Sequence, residues 1–159
     1  MNRNSLALDI AQDFSKFSQV KAVALGCSHA IGTSTNSSDI DIYVFTTNVI
    51  PLSKRRSIIE KRGAIQADLN LEYWDLGDQW IDKKSGIELD VIYWDTTWIK
   101  GQLDQTLIYH RAKLGYSTCH WHTIKNASVL LDREEWFTNL QARSKHPYPI
   151  ELKDAIIEK

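Results

Sequence analysis

Two carboxylates one residue apart, Asp39 and Asp41, follow a small-residue turn, Gly26-Cys27-Ser28, across a spacer of residues 29 to 38. In an extended strand alternate side chains share a face. Asp39 and Asp41 then point the same way, roughly 7 Å apart at Cα, while Ile40 and Ile42 point into a core. Carboxylates held that close repel one another unless a cation lies between them. Magnesium suits the pair, because it takes oxygen ligands from one or two carboxylates and shares the rest with substrate phosphates.

The turn supplies the other half of a phosphate site. Gly26 can adopt backbone angles closed to other residues and lets a phosphate approach. Ser28 offers a hydroxyl and a backbone N–H. The stretch His29-Ala30-Ile31-Gly32 is long enough for a helical turn whose N-terminus faces the anion. His29 is within reach of such a phosphate, though an ordinary loop histidine is the simpler reading. Each short motif alone is weak, and a strand-edge role for Asp39 and Asp41 is the competing explanation. Their order, with apolar strands on both sides, favours chemistry.

The arrangement resembles the nucleotidyltransferase superfamily typified by DNA polymerase β. Its signature is an apolar residue, Gly, Gly or Ser, a spacer, then Asp, apolar, Asp or Glu, apolar. Here it reads Leu25-Gly26-Cys27-Ser28, then Asp39-Ile40-Asp41-Ile42. Ser28, Gly32-Thr33 and Ser38-Asp39 bring it nearer to small bacterial antibiotic-nucleotidyltransferase-like proteins. The resemblance implies that Gly26 and Ser28 hold the nucleotide phosphates and that Asp39 and Asp41 hold magnesium. It also implies a third catalytic and metal-binding carboxylate on a neighbouring strand. Asp90, in Ile87-Glu88-Leu89-Asp90-Val91-Ile92, fits that position, either holding a second metal or taking the acceptor proton. An unpaired carboxylate in an apolar strand is costly, which also points to a partner; a structural hydrogen bond is the plainer alternative. Two departures stand out: Cys27 where many members have Gly, and Ile31 where an Arg is frequent.

The composition agrees with one soluble globular domain: 159 residues, 43% hydrophobic, formal net charge -1. So even a balance argues against a general nucleic-acid binder. The run Lys54-Arg55-Arg56 with Lys61-Arg62 reads as the solvated face of a helix, with contact to a polyanion the lesser alternative. No stretch is apolar for long enough to span a membrane, and the two cysteines make no disulfide framework. A reducing cytoplasm is the expected location. Cys119, His120 and His122 match no common zinc spacing and read as packing residues.

The elements that must position these groups follow from periodicity and breakers. Residues 5 to 18 carry Leu6, Ile10, Phe14 and Phe17 at helical spacing. Strands are expected at 20–25, 39–46, 65–73, 87–94 and 129–131. Helices are expected from Pro51 to about Lys61, ended by Gly63, from an Asp95-Thr96 cap to Leu114, stopped by Gly115, and over 133–144, broken by Pro147 and Pro149. Residues 33–38 read as a polar loop. Residues 74–80 read as an aromatic-rich turn; its Trp74 and Trp80 read chiefly as core or lid material, with stacking on a base or acceptor the lesser alternative. The fold class is therefore α/β (α+β), a sheet with helices packed on it, and the resemblance implies a nucleotidyltransferase-type mixed β-sheet. Residues 1–146 form the catalytic domain, and 147–159 begin a C-terminal helical segment. There Ile150, Leu152, Ile156 and Ile157 are expected to be exposed, which suggests a missing domain or a homodimer surface.

The resulting expectation is a magnesium-dependent nucleotidyltransferase that moves a nucleoside monophosphate from an NTP, with ATP the expected donor. The acceptor is a hydroxyl on a small molecule such as an antibiotic, or on a protein. The alternative is a non-catalytic module of the same fold that binds nucleotide or a partner, antitoxin-like.

Overall fold

The computed structural model describes residues 2–26, 39–73, 75–111 and 118–157. Within them the chain forms α1 (Arg3–Phe14), β1 (Val20–Leu25), β2 (Ile40–Thr46), α2 (Leu52–Lys61), β3 (Ile65–Leu71), β4 (Gly77–Ile81), β5 (Glu88–Asp95), α3 (Thr96–Leu107), α4 (Cys119–Asn126), β6 (Ser128–Asp132), α5 (Trp136–Arg143) and α6 (Ile150–Ile157). The six strands make one mixed sheet in the order β3-β4-β5-β2-β1-β6. Only β2 and β5 run parallel among these neighbours; the other pairs are antiparallel. The expected mixed sheet with packed helices is what forms.

The strands are two-sided because their sequences alternate. On β2, Ile40, Ile42 and Val44 enter one core with Leu89, Val91 and Tyr93 of β5, Trp80 of β4 and Val23 of β1. That back face is covered by α1 through Leu6, Ile10 and Phe14 and by α2 through Ile58 and Ile59. On the front face a second core joins Ala22 and Ala24 of β1, Phe45 and Trp94 to α3, α4 and α5 through Ile99, Leu103, Trp121, Ile124 and Phe137. The front helices cover β1 and the later halves of β2 and β5, leaving the earlier halves and β4 open. Full burial of a side chain the size of Leu or Phe contributes about 1.5–3 kcal/mol, so both layers hold the sheet firmly.

Several elements depart from the sequence reading. Residues 77–81 form a strand, although Gly77-Asp78 reads as a turn. Pairing with β3 on one side and β5 on the other overrides that local signal. Trp80 is therefore fully buried in the back core and is not available to a base or acceptor. Helix α3 is capped by Asp95, whose side chain accepts from the N–H groups of Thr97 and Trp98, but it ends at Leu107. The chain then turns through His110 in the left-handed region, at φ 49°. Helix α4 forms where the sequence reading places no helix. Arg55, taken with its basic neighbours as solvated, is 1% exposed. Leu152 is fully buried, whereas Ile150, Ile156 and Ile157 are exposed as expected.

Asp13 ties α1 to the end of α2. It accepts from Arg62 Nη2 at 2.6 Å and from Lys16 Nζ at 2.6 Å. Burial alone would raise its pKa, but the hydrogen bonds and charges of Lys16 and Arg62 outweigh it and hold the carboxyl below its ordinary 3.8. A depressed acid pKa stabilises the fold above the unfolded value, and that gain is lost as pH falls through the folded one. Asp13→Asn should therefore melt lower than wild type at pH 7, and the gap should close below about pH 4. A gap that is constant with pH in thermal melts would contradict the assignment.

Candidate active site

Register decides which carboxylates meet. Asp41 on β2 stands opposite Asp90 on β5 in the parallel ladder. Adjacent strands lie about 4.8 Å apart, so the two carboxylates are neighbours on the front face. Asp39 lies just before β2, two residues from Asp41, and its charge acts on Asp90. Burial, then the charges of Asp41, Asp39 and Glu88, push the Asp90 pKa from 3.8 up to about 6. Burial is the largest cause, and the neighbouring carboxylates add to it. The carboxylates are not a preformed cage: among the described residues no group of three or more His, Cys, Asp or Glu side chains is gathered as a metal site.

Gly26 closes the other side. Its N–H donates to the Asp41 carbonyl at 2.8 Å. A Cβ built there would lie 2.7 Å from Asp41 Cβ and 3.3 Å from Asp41 Oδ2. The glycine is therefore needed for space. Its φ is not in the left-handed region, so the conformational argument made from sequence does not apply, and the room on its Cβ side is filled by Asp41. Cys27, Ser28, His29 and Ile31, like Trp74 and the loop 33–38, lie outside the described residues.

Above the carboxylates opens a cleft of about 750 Å³, within the range of small-molecule sites. Asp41, Asp90 and Gln79 lie on its floor, and Tyr43 and Trp94 form one wall. Those two rings pack with centroids 4.6 Å apart. His120 stands edge-on to Trp94 at 5.2 Å and to Trp98 at 5.1 Å. Cys119 and His120, read from sequence as packing residues, thus border the cleft at the start of α4. Burial raises the Cys119 thiol pKa above 9.0, which keeps it protonated at neutral pH. Asp68, Tyr73 and Asp75 of the β3–β4 hairpin form the far wall. Asp68 and Tyr73 belong to no motif in the sequence, and Asp75 lies in the stretch that reads as an aromatic-rich turn; the register of β3 on β4 and of β4 on β5 brings Asp68 to the Asp90 side.

No family model matches the sequence, and no curated protein sequence matches it. Among solved structures, a toxin–antitoxin with AMP-PNP is similar at a TM-score of 0.47 and 14% identity, over 91% of this chain and 84% of that one. So distant a likeness carries no argument, and the reading of the site rests on its residues. Among the described residues no helix is long and apolar enough to cross a membrane.

Proposed function

We propose that this chain is a nucleotidyltransferase that moves a nucleoside monophosphate from an NTP, ATP by preference, to a hydroxyl acceptor. One observation carries the reading: Asp41 and Asp90 stand in register on parallel neighbouring strands at the floor of an open cleft. The likeness of residues 25–42 to the nucleotidyltransferase signature supports it.

The donor set fits magnesium. It offers hard carboxylate oxygens, and Asp41 and Asp90 stand side by side as a like-charge pair that a cation would relieve. Magnesium shared with substrate phosphates needs only one or two protein carboxylates, so a preformed cage is not required. Asp39 and Asp41 would hold it, and when bound it would neutralise charge on the phosphates. The turn that begins at Gly26, with Ser28, would receive the β- and γ-phosphates. The acceptor oxygen attacks the α-phosphorus and forms a new O–P bond. The bond from that phosphorus to the bridging oxygen breaks, and pyrophosphate leaves. Asp90 takes the hydroxyl proton on a carboxylate oxygen, and its burial favours the protonated form.

Calorimetric titration of ATP, first with magnesium and then with chelator, tests the first half. Affinity should fall at least about tenfold without the metal, as expected when like charges meet unscreened. Equal affinity in both would overturn the metal-bridged reading. Mass spectrometry of acceptor pools incubated with labelled ATP and magnesium tests the second half. Tight binding with no labelled product would leave the non-catalytic binding module instead.

A further inference from the structure

Strand β3 changes face part-way along its length. In an unbroken strand Leu69, Leu71 and Tyr73 would point the same way, because the side-chain period is two. They do not: Leu69 packs against the back core, while Leu71 and Tyr73 line the cleft. The β3–β4 ladder shows where the switch is made. Asp68 stands opposite Gln79 and Leu69 opposite Asp78, but it is Leu71 that stands opposite Gly77. Asn70 is the extra residue, and its backbone is left-handed, at φ 60°. One extra residue in a paired strand is a β-bulge, which re-aims the side chains around it. Asparagine enters the left-handed region more readily than other non-glycine residues. Buried partners hold it there. Its N–H donates to Asp78 Oδ1 at 2.9 Å, and its side-chain oxygen accepts from Arg55 Nη2 at 2.9 Å. Asp78 is fully buried, so the bulge is anchored to the back core while the residues after it face the front. Tyr73 is 86% exposed, so its direction is set by the backbone and not by packing of its ring.

We infer, on the basis of the nucleotidyl-transfer reading, that Asn70 is a positioning residue for the acceptor. Attacking and leaving oxygens lie roughly in line at the phosphorus. Pyrophosphate leaves on the Gly26 side, over β1 and β2, so the acceptor arrives from the other side of Asp90. The sheet order places β4 and then β3 there. Leu71 and Tyr73 give that end of the cleft its apolar wall, and the bulge at Asn70 turns them to it.

Tyr73→Cys, with the native Cys119 bordering the same cleft, reports the wall directly. Bis-maleimides of increasing length are applied at mildly alkaline pH, and peptide mass spectrometry measures the 73–119 link per folded molecule. The link should form in Tyr73→Cys and equally in Tyr73→Cys/Asn70→Gly, because glycine takes left-handed angles freely. It should fall roughly tenfold in Tyr73→Cys/Asn70→Val, the scale of forcing a β-branched residue into that region. With Tyr73 intact, transfer of label from ATP to the acceptor pools should follow the same order. It should stay near wild type in Asn70→Gly and fall roughly tenfold in Asn70→Val, with Mg–ATP affinity equal in all three. A structural role alone would lower the melting temperature and leave link and transfer per folded molecule unchanged, and that result would overturn the proposal. Loss of the link in Asn70→Gly, which keeps the bulge but not the Arg55 contact, would overturn it too. If wild type transfers no label, the transfer reading fails, and the cross-link still decides whether Asn70 sets the wall.

Discussion

Asp90→Asn should lower nucleotidyl transfer by two or more orders of magnitude, the usual scale for losing a positioned proton acceptor or charge-stabilising group. ATP affinity in magnesium should change little, because Asp39 and Asp41 remain. Stability should move in the opposite direction to activity. In the ion-free protein Asp90 is a partly buried carboxylate beside Asp41, and the neutral amide removes that repulsion. In chelator, Asp90→Asn should therefore melt higher than wild type. Added magnesium should raise wild type more than the variant and narrow the gap. If Asp90 is only a structural hydrogen-bonding residue, the variant melts lower and turnover per folded molecule is unchanged. Melting and turnover measured on one preparation separate the two outcomes; slow ATP hydrolysis to AMP and pyrophosphate serves until the acceptor is known.

The largest effect on stability is expected from Arg55→Ala. Behind the sheet, Arg55 Nη1 donates to Asp78 Oδ1 at 2.7 Å, and both side chains are almost wholly buried. Asp78 also accepts from the Tyr93 hydroxyl at 2.7 Å and from the Asn70 N–H at 2.9 Å. The guanidinium further donates to the Ile50 carbonyl at 3.1 Å and to Asn70 Oδ1 at 2.9 Å, and stacks over Tyr93 with its carbon 4.9 Å from the ring centroid. Burial, with the Asp78 charge and hydrogen bond, holds the Tyr93 hydroxyl pKa well above 10.0, so it stays a donor. Removing one member of a buried pair leaves the other uncompensated and costs about 3–5 kcal/mol. For a chain of this size that lowers the melting temperature by about 10 °C. The network lies on the face opposite the cleft, so turnover per folded molecule should be nearly unchanged. A shift below about 3 °C, equivalent to about 1 kcal/mol, would show that Asp78 finds other partners.

Arg55 also shows where sequence reasoning stops. Its neighbours Lys54 and Arg56 are exposed, and nothing in the run distinguishes the residue that faces inward. Its partner Asp78 sits in a Gly-Asp pair that reads as a turn. Only the docking of α2 on the back face, across from β4, turns the two into a buried pair. Leu152 changed status for the same reason: apolar side chains go where packing admits them, and packing is a property of the whole fold.

What the sequence determined by itself was local. Alternation along Asp39-Ile40-Asp41-Ile42-Tyr43-Val44 made a two-sided strand, with carboxylates on one face and core on the other, because the side-chain period of a strand is two. Apolar spacing, the Asp95 cap and the Gly63 stop located most helices, because these signals act within a turn or two of the chain. The tertiary structure decided which strands are neighbours and in what register. The parallel pairing of β2 with β5 puts Asp90 beside Asp41, and the antiparallel pairings of β4 and β3 extend the row to Gln79 and Asp68. The space that Asp41 fills beside Gly26 is likewise fixed between strands. A one-residue slip would send each of these side chains to the other face. Register is set by how all six strands and both helical layers pack together, and no short stretch of sequence carries that information.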